Sequence, residues 1–193
     1  MNKLAYVFWH WPRPTISKDD YLERLRLFHT SLAAHPSEGF SHSVVFEIPA
    51  PPWLSADSVA FEDWYLVDDS AALDKLNFAA VSGQNEKPHN TVATEAEGGI
   101  AGLYRLKQGD ASALATAKYA LWFSKSANLS YADLYLNLSS LSSQKGVGLW
   151  CRQMTLGPTS EFCFRSEDEL VLPAEAATNV YLAPLKIVWS GLT

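Results

Sequence analysis

The feature that most constrains this chain is an internal repeat. Tyr6-Val7-Phe8-Trp9 returns as Tyr119-Ala120-Leu121-Trp122, an offset of 119 minus 6, or 113 residues. The same ungapped offset places Ser17 on Ser130, Asp20 on Asp133, Leu25 on Leu138 and Phe28 on Leu141. One shift thus matches a strand, a helix cap and a helix face.

Local chemistry explains each matched piece. Leu4 to Trp11 is rich in aromatic and branched residues, as a strand requires. Pro12 and Pro14 end it, because proline cannot donate to a central ladder. The Ser17 hydroxyl can cap a helix, and Asp19 and Asp20 suit its positive end. Tyr21, Leu22, Leu25, Phe28 and Leu32 then form one apolar stripe, which predicts a helix over residues 18–34. Ser130 caps the second copy, and Leu134, Tyr135, Leu138 and Leu141 repeat the stripe up to Lys145-Gly146.

Two strand-like runs follow each helix: Phe40 to Ile48 and Phe61 to Val67, then Val147 to Leu156 and Glu161 to Ser166. Pro49-Ala50-Pro51-Pro52-Trp53 joins the first pair as a stiff connection, a candidate lid or wall. Gly157-Pro158 turns the second pair. Ser70 to Val81 reads as an amphipathic helix, and Pro173 to Ala177 as its short counterpart. Gly83 to Gly99 is polar and reads as a long loop. Ile100 to Leu106 and Val180 to Trp189 are the closing strands, with a linker over Gln108 to Thr116.

Each half therefore reads β-α-β-β-α-β. The expected fold is α+β: two tandem ferredoxin-like repeats, residues 1–107 and a shorter 117–193, packed as one unit. Each antiparallel sheet carries helices on one face only, so the other face must be covered. Two such sheets can face each other as an α+β barrel within one chain. A homodimer is compatible with this arrangement but not required by it.

Composition narrows the function. At 193 residues, 48% hydrophobic and 19% charged, the chain can bury a core without staples. A net charge of −6 without a Lys/Arg cluster argues against nucleic acid and against an anionic membrane surface. Met1-Asn2-Lys3 leads straight into the first strand without a cleavage site, so a cytoplasmic protein is expected. Cys151 and Cys163 lie nearly symmetric about the turn and are candidate cross-strand neighbours, expected as free thiols. Seven Trp, eight Tyr and nine Phe build either a bulky core or an aromatic-lined pocket.

The segments Lys3-Leu4-Ala5-Tyr6-Val7, Ile16-Ser17-Lys18-Asp19-Asp20-Tyr21 and Leu27-Phe28-His29-Thr30-Ser31-Leu32 carry a resemblance. The chain resembles the dimeric α+β barrel superfamily, and within it the EthD-type branch. Members typically show a first strand, a Ser-capped helix, and a histidine near the helix end followed by small residues and a leucine. The superfamily includes cofactor-independent monooxygenases, lactone isomerases, haem enzymes and small binding proteins. The resemblance implies a pocket rather than one reaction. Its haem-binding members generally place the axial histidine in the second half, where this chain has none after His89, so no haem is expected.

Among ionisable residues, His29 falls inside the helix stripe and should point toward the sheet, as a catalytic acid/base, a hydrogen-bonding group for a ligand, or a buried histidine satisfied by a backbone carbonyl. Its second-half counterpart is Ser142, and that of His10 is Phe123. Tyr6, Phe8 and His10 share one face of the first strand, Val7, Trp9 and Trp11 the other, and either face can line a pocket. His10 and His42 can join His29 around one cavity, with Tyr6, Trp9, Trp53 and Trp64 as ligand walls. No H-x-H or H-x-x-x-H pair occurs, so no metal and no cofactor are expected. The function expected is that of a monooxygenase- or isomerase-like enzyme acting on an apolar or aromatic small molecule. The alternative is a non-catalytic binder of such a molecule.

Overall fold

The computed structural model describes residues 3–55, 59–155, 158–173 and 175–191. Its first half runs β1 (Leu4–Pro12), α1 (Lys18–Ala34), β2 (Phe40–Pro49), β3 (Val59–Val67), α2 (Ser70–Ala80), α3 (Gly83–Glu95) and β4 (Ala96–Gly109). The second runs α4 (Ala113–Thr116), β5 (Tyr119–Lys125), α5 (Tyr131–Asn137), α6 (Ser139–Ser142), β6 (Gly148–Thr155), β7 (Phe162–Ser166), β8 (Ala177–Pro184) and β9 (Lys186–Ser190).

All nine strands form one antiparallel sheet in the order β8-β5-β7-β6-β4-β1-β3-β2-β9. Each half keeps the ferredoxin-like order, its fourth strand beside its first, then third, then second. β4 is long enough to pair with β1 and then with β6. Only Leu185 separates β8 from β9, so the last part of the chain likewise pairs first with β5 and then with β2. The Val180–Trp189 run expected as one strand is thus two segments.

The helix caps explain why both halves start alike. The Ser17 Oγ accepts from the Asp20 N–H at 3.1 Å and donates to the Asp20 carboxylate at 2.6 Å. Ser130 and Asp133 repeat both contacts at the same distances. Beyond the caps the halves diverge. α1 is continuous, whereas its counterpart breaks at Leu138 into α5 and α6. Here Ser139 and Ser142 turn their hydroxyls onto the carbonyls of Leu136 and Leu138, which weakens a continuous helix.

Three further sequence expectations are corrected. Gly83 to Gly99 is not a loop: Gly83–Glu95 is helical and Ala96 opens β4. The helix is polar because its anchor is Asn85, which donates to the carbonyls of His35 and Ala79 and accepts from Ser31 Oγ. Asn85 thereby ties together the ends of α1 and α2. Pro173 to Ala177 is not a helix among its described residues, since Glu175 sits at φ 66° and Ala177 begins β8. The linker also shrinks, because β4 reaches Gly109 and α4 occupies Ala113–Thr116. Gly157 of the expected turn lies outside the described residues.

The sheet separates three cores. Facing away from the helices, Trp9, Phe46, Trp64 and Tyr104 of the first half meet Trp122, Trp150 and Cys163 of the second. On the helix side of the first half lie Tyr21, Leu25, Phe28, Leu32, Phe61 and Tyr65. Leu134, Leu138, Phe162 and Phe164 fill the same position in the second half. Cys163 pairs with Trp150 and Cys151 with Phe162, so the two cysteines point to opposite faces rather than at each other. Both are free thiols. Among the described residues, no helix is long and apolar enough to cross a membrane.

Candidate functional site

Strand alternation decides which side of β1 carries chemistry. Tyr6, Phe8 and His10 face the helices, whereas Val7 and Trp9 face the shared core. β3 lies directly beside β1 and presents Asp63 and Tyr65 on the helix side. α1 crosses this surface and lowers Tyr21 and His29 onto it. β2 supplies Ser43.

These residues converge on one carboxylate. Asp63 Oδ2 lies 3.1 Å from His29 Nε2 and accepts from the Tyr65 hydroxyl at 2.8 Å. Asp63 Oδ1 lies 3.1 Å from His10 Nε2. That contact is angled: the two atoms touch without meeting hydrogen-bond geometry, and neither has another partner. On the far side of each ring, His29 Nδ1 meets Ser43 Oγ at 2.8 Å and His10 Nδ1 meets the Tyr21 hydroxyl at 2.7 Å. A carboxylate only accepts, so these partners assign hydrogen to both Nε2 atoms. Each Nδ1 faces a hydroxyl that can donate to it or accept from it.

The cluster is nearly sealed, with His29 0%, His10 1% and Asp63 1% exposed. Burial alone would raise the pKa of the Asp63 carboxyl. The charges of His10 and His29, together with the hydrogen bond to His29, outweigh it and hold the group below the usual carboxylate range. Burial, and then the Asp63 charge, push the phenols of Tyr21, Tyr65 and Tyr6 upward, so all three stay protonated at neutral pH.

Over the cluster lies a cavity of about 570 Å³, within the range of small-molecule sites. Its floor includes Tyr6, Phe8 and His10, whose rings succeed one another nearly parallel. Phe28 of α1, Leu76 of α2, and His89 and Val92 of α3 enclose it.

The structure thus brings His10, His29 and Tyr6 to one place and leaves other candidates elsewhere. His42 neighbours Ser43 on β2 but faces the opposite side, with Nδ1 on Ser41 Oγ at 3.0 Å. Its pKa is lowered by burial and by Lys3. Trp9, Trp53 and Trp64 belong to the shared core, where Trp53 packs edge-on against Trp9, Trp122 and Tyr181. Among the described residues, no group of three His, Cys, Asp or Glu side chains is arranged to hold a metal ion.

Asp63, Tyr21, Tyr65 and Ser43 were not singled out from the sequence. A signal for Asp63 existed. Glu62-Asp63 interrupts an apolar central strand, and such a local conflict often marks function. Glu62 serves the opposite face. It accepts from Trp9 Nε1 at 2.7 Å, Trp64 Nε1 at 2.6 Å and the guanidinium of Arg165. Arg165 is fully buried, packed over Phe46, Trp64 and Trp122.

Comparison with known proteins places the fold. No family model matches the chain, and no curated protein matches it. Among solved structures, a proposed monooxygenase from Fusobacterium nucleatum subsp. nucleatum aligns over 97% of this chain and 93% of its own, with a TM-score of 0.60 and 9% identity. An anthrone oxidase-like protein aligns over 97% and 92%, with a TM-score of 0.58 and 9% identity. A proposed monooxygenase from Lactobacillus acidophilus aligns over 98% and 96%, with a TM-score of 0.55 and 8% identity. At such identities the likeness is one of fold: ferredoxin-like α+β with an antiparallel sheet.

Proposed function

We propose that this chain is a small-molecule enzyme of the cofactor-independent monooxygenase or isomerase kind, acting on an apolar or aromatic substrate in the cavity between β1 and the helices. The observation that carries this reading is the buried His10–Asp63–His29 cluster beneath an aromatic-walled cavity. His10 is the acid/base, because it borders the cavity and His29 does not. Its Nδ1 can take a substrate proton through the Tyr21 hydroxyl, and Asp63 stabilises the imidazolium that forms. Returning the proton at another carbon gives isomerisation. Leaving a carbanion at a CH₂ group allows reaction with dioxygen, one oxygen atom entering the product as a carbonyl and the other leaving as water. Three structural neighbours, two proposed monooxygenases and an anthrone oxidase-like protein, agree with this reading in fold.

The same proposal takes residues 1–107 and 117–193 as tandem copies that close an intrachain barrel, in an EthD-like branch of the superfamily. Support comes from the equal strand order, the identical Ser-Asp caps and the passage of β8 into β9 across Leu185.

A non-catalytic binder is the second reading, favoured by how little of His10 and Asp63 is exposed. Incubation with a panel of phenols and quinols in air, followed by mass spectrometry of the products, separates the two. Turnover should fall about a hundredfold or more in His10→Gln. Equal turnover in that variant would remove His10 from the chemistry. Binding of panel compounds that are all returned unchanged would establish the binder.

A further inference from the structure

Tyr6 and Tyr65 stand directly opposite each other on β1 and β3, their rings 5.9 Å apart, and both line the cavity. They differ in what their hydroxyls have left to offer. The Tyr65 O–H is committed to Asp63 Oδ2 at 2.8 Å, and its oxygen lies 3.4 Å from His29 Nε2, which holds the same carboxylate at 3.1 Å. With its proton committed and only the long His29 contact on its oxygen, Tyr65 can offer the cavity an acceptor but not a donor. The Tyr6 hydroxyl has no hydrogen-bond partner among the described residues, and Tyr6 is only half-buried. It presents a free O–H, a donor. Both phenols remain neutral, so neither role is lost by ionisation at neutral pH.

We infer that Tyr6 and Tyr65 form the receptor for one hydroxyl group of a phenolic or enolic ligand. A single hydroxyl is both donor and acceptor: its proton meets the Tyr65 oxygen while its own oxygen accepts from Tyr6. An ether satisfies Tyr6 alone, and a hydrocarbon satisfies neither. Phe8, lying nearly parallel to Tyr6 at 6.4 Å, supplies the adjoining surface for the ligand's ring. This inference rests on the cavity being the ligand site, as proposed above, and adds the functional group that the site selects.

The test titrates the full-length protein with 2-naphthol and 2-methoxynaphthalene, which differ in the donor. Naphthol should bind the wild type about five- to tenfold more tightly, the usual worth of one added neutral hydrogen bond. Tyr65→Phe should abolish that preference by weakening naphthol alone, whereas Tyr6→Phe should weaken both compounds. Equal affinities in the wild type, or a preference surviving in Tyr65→Phe, would overturn the inference. If Tyr65→Phe fails to fold for want of the bond to Asp63, the wild-type comparison and Tyr6→Phe decide on their own. Absence of binding by either compound would instead sink the cavity reading, and this inference with it.

Discussion

Glu62 and Asp63, consecutive on β3, are each the buried acid of a different face of the sheet. Glu62 anchors the shared core between the halves, and Asp63 anchors the helix-side cavity. Alternation along the strand separates two polar networks by one peptide unit. The two can therefore be perturbed independently.

On the cavity side, Asp63→Asn should cost about 3–5 kcal/mol at neutral pH, the usual penalty for breaking a buried charged network by one partner. Its pH dependence is the sharper signature. The folded carboxyl titrates below its unfolded value, so its stabilisation is present above roughly pH 4 and is lost as pH falls further. Urea midpoints measured from neutral pH down to acid should fall more steeply in the wild type than in the variant. Parallel slopes would show that Asp63 is not ionised in the folded protein.

On the other face, Glu62→Gln leaves the fully buried guanidinium of Arg165 without its counter-charge. A loss of about 3–5 kcal/mol is expected from chemical denaturation. Replacing both partners with apolar residues, as in Glu62→Leu with Arg165→Met, should recover much of it. If the double variant is no better than the single one, the pair is not what the core depends on. Ligand binding in the cavity should survive any of these changes that fold.

How much of this was legible in the sequence depends on the kind of signal. α1 was readable because Ser17 and the apolar stripe both speak locally. The second cap was readable for the same reason, since Ser130 and Asp133 make the contacts that Ser17 and Asp20 make. α3 was not, since it is held by Asn85 reaching the carbonyls of other helices, a contact without sequence periodicity. His29 could be placed by the helical wheel, but its partner Asp63 sits on another element 34 positions away and no local pattern joins them. The cavity side of β1 had to await the helices that cover it.

The two cysteines offer a chemical check on that placement. Burial pushes the Cys163 thiol up to about 12, and it lies wholly inside the shared core. Cys151 is half-buried on the opposite face, also with a raised pKa from burial. Native protein treated with iodoacetamide should be alkylated slowly at Cys151 and not at Cys163, as read by peptide mass spectrometry. Labelling of native Cys163, or a Cys151–Cys163 disulfide under mild oxidation, would contradict the register of β6 and β7.

Gly99 gives the most direct control over the cavity itself. It sits opposite His10 on β4, where an added Cβ would lie 2.5 Å from the Phe8 ring. Such a distance forces the ring to move, and Phe8 forms part of the cavity floor. Gly99→Ala should therefore weaken binding of a naphthol probe while costing only about 1–3 kcal/mol of stability, typical of overpacking. Unchanged naphthol affinity in a folded Gly99→Ala protein would mean that the ligand does not use this floor.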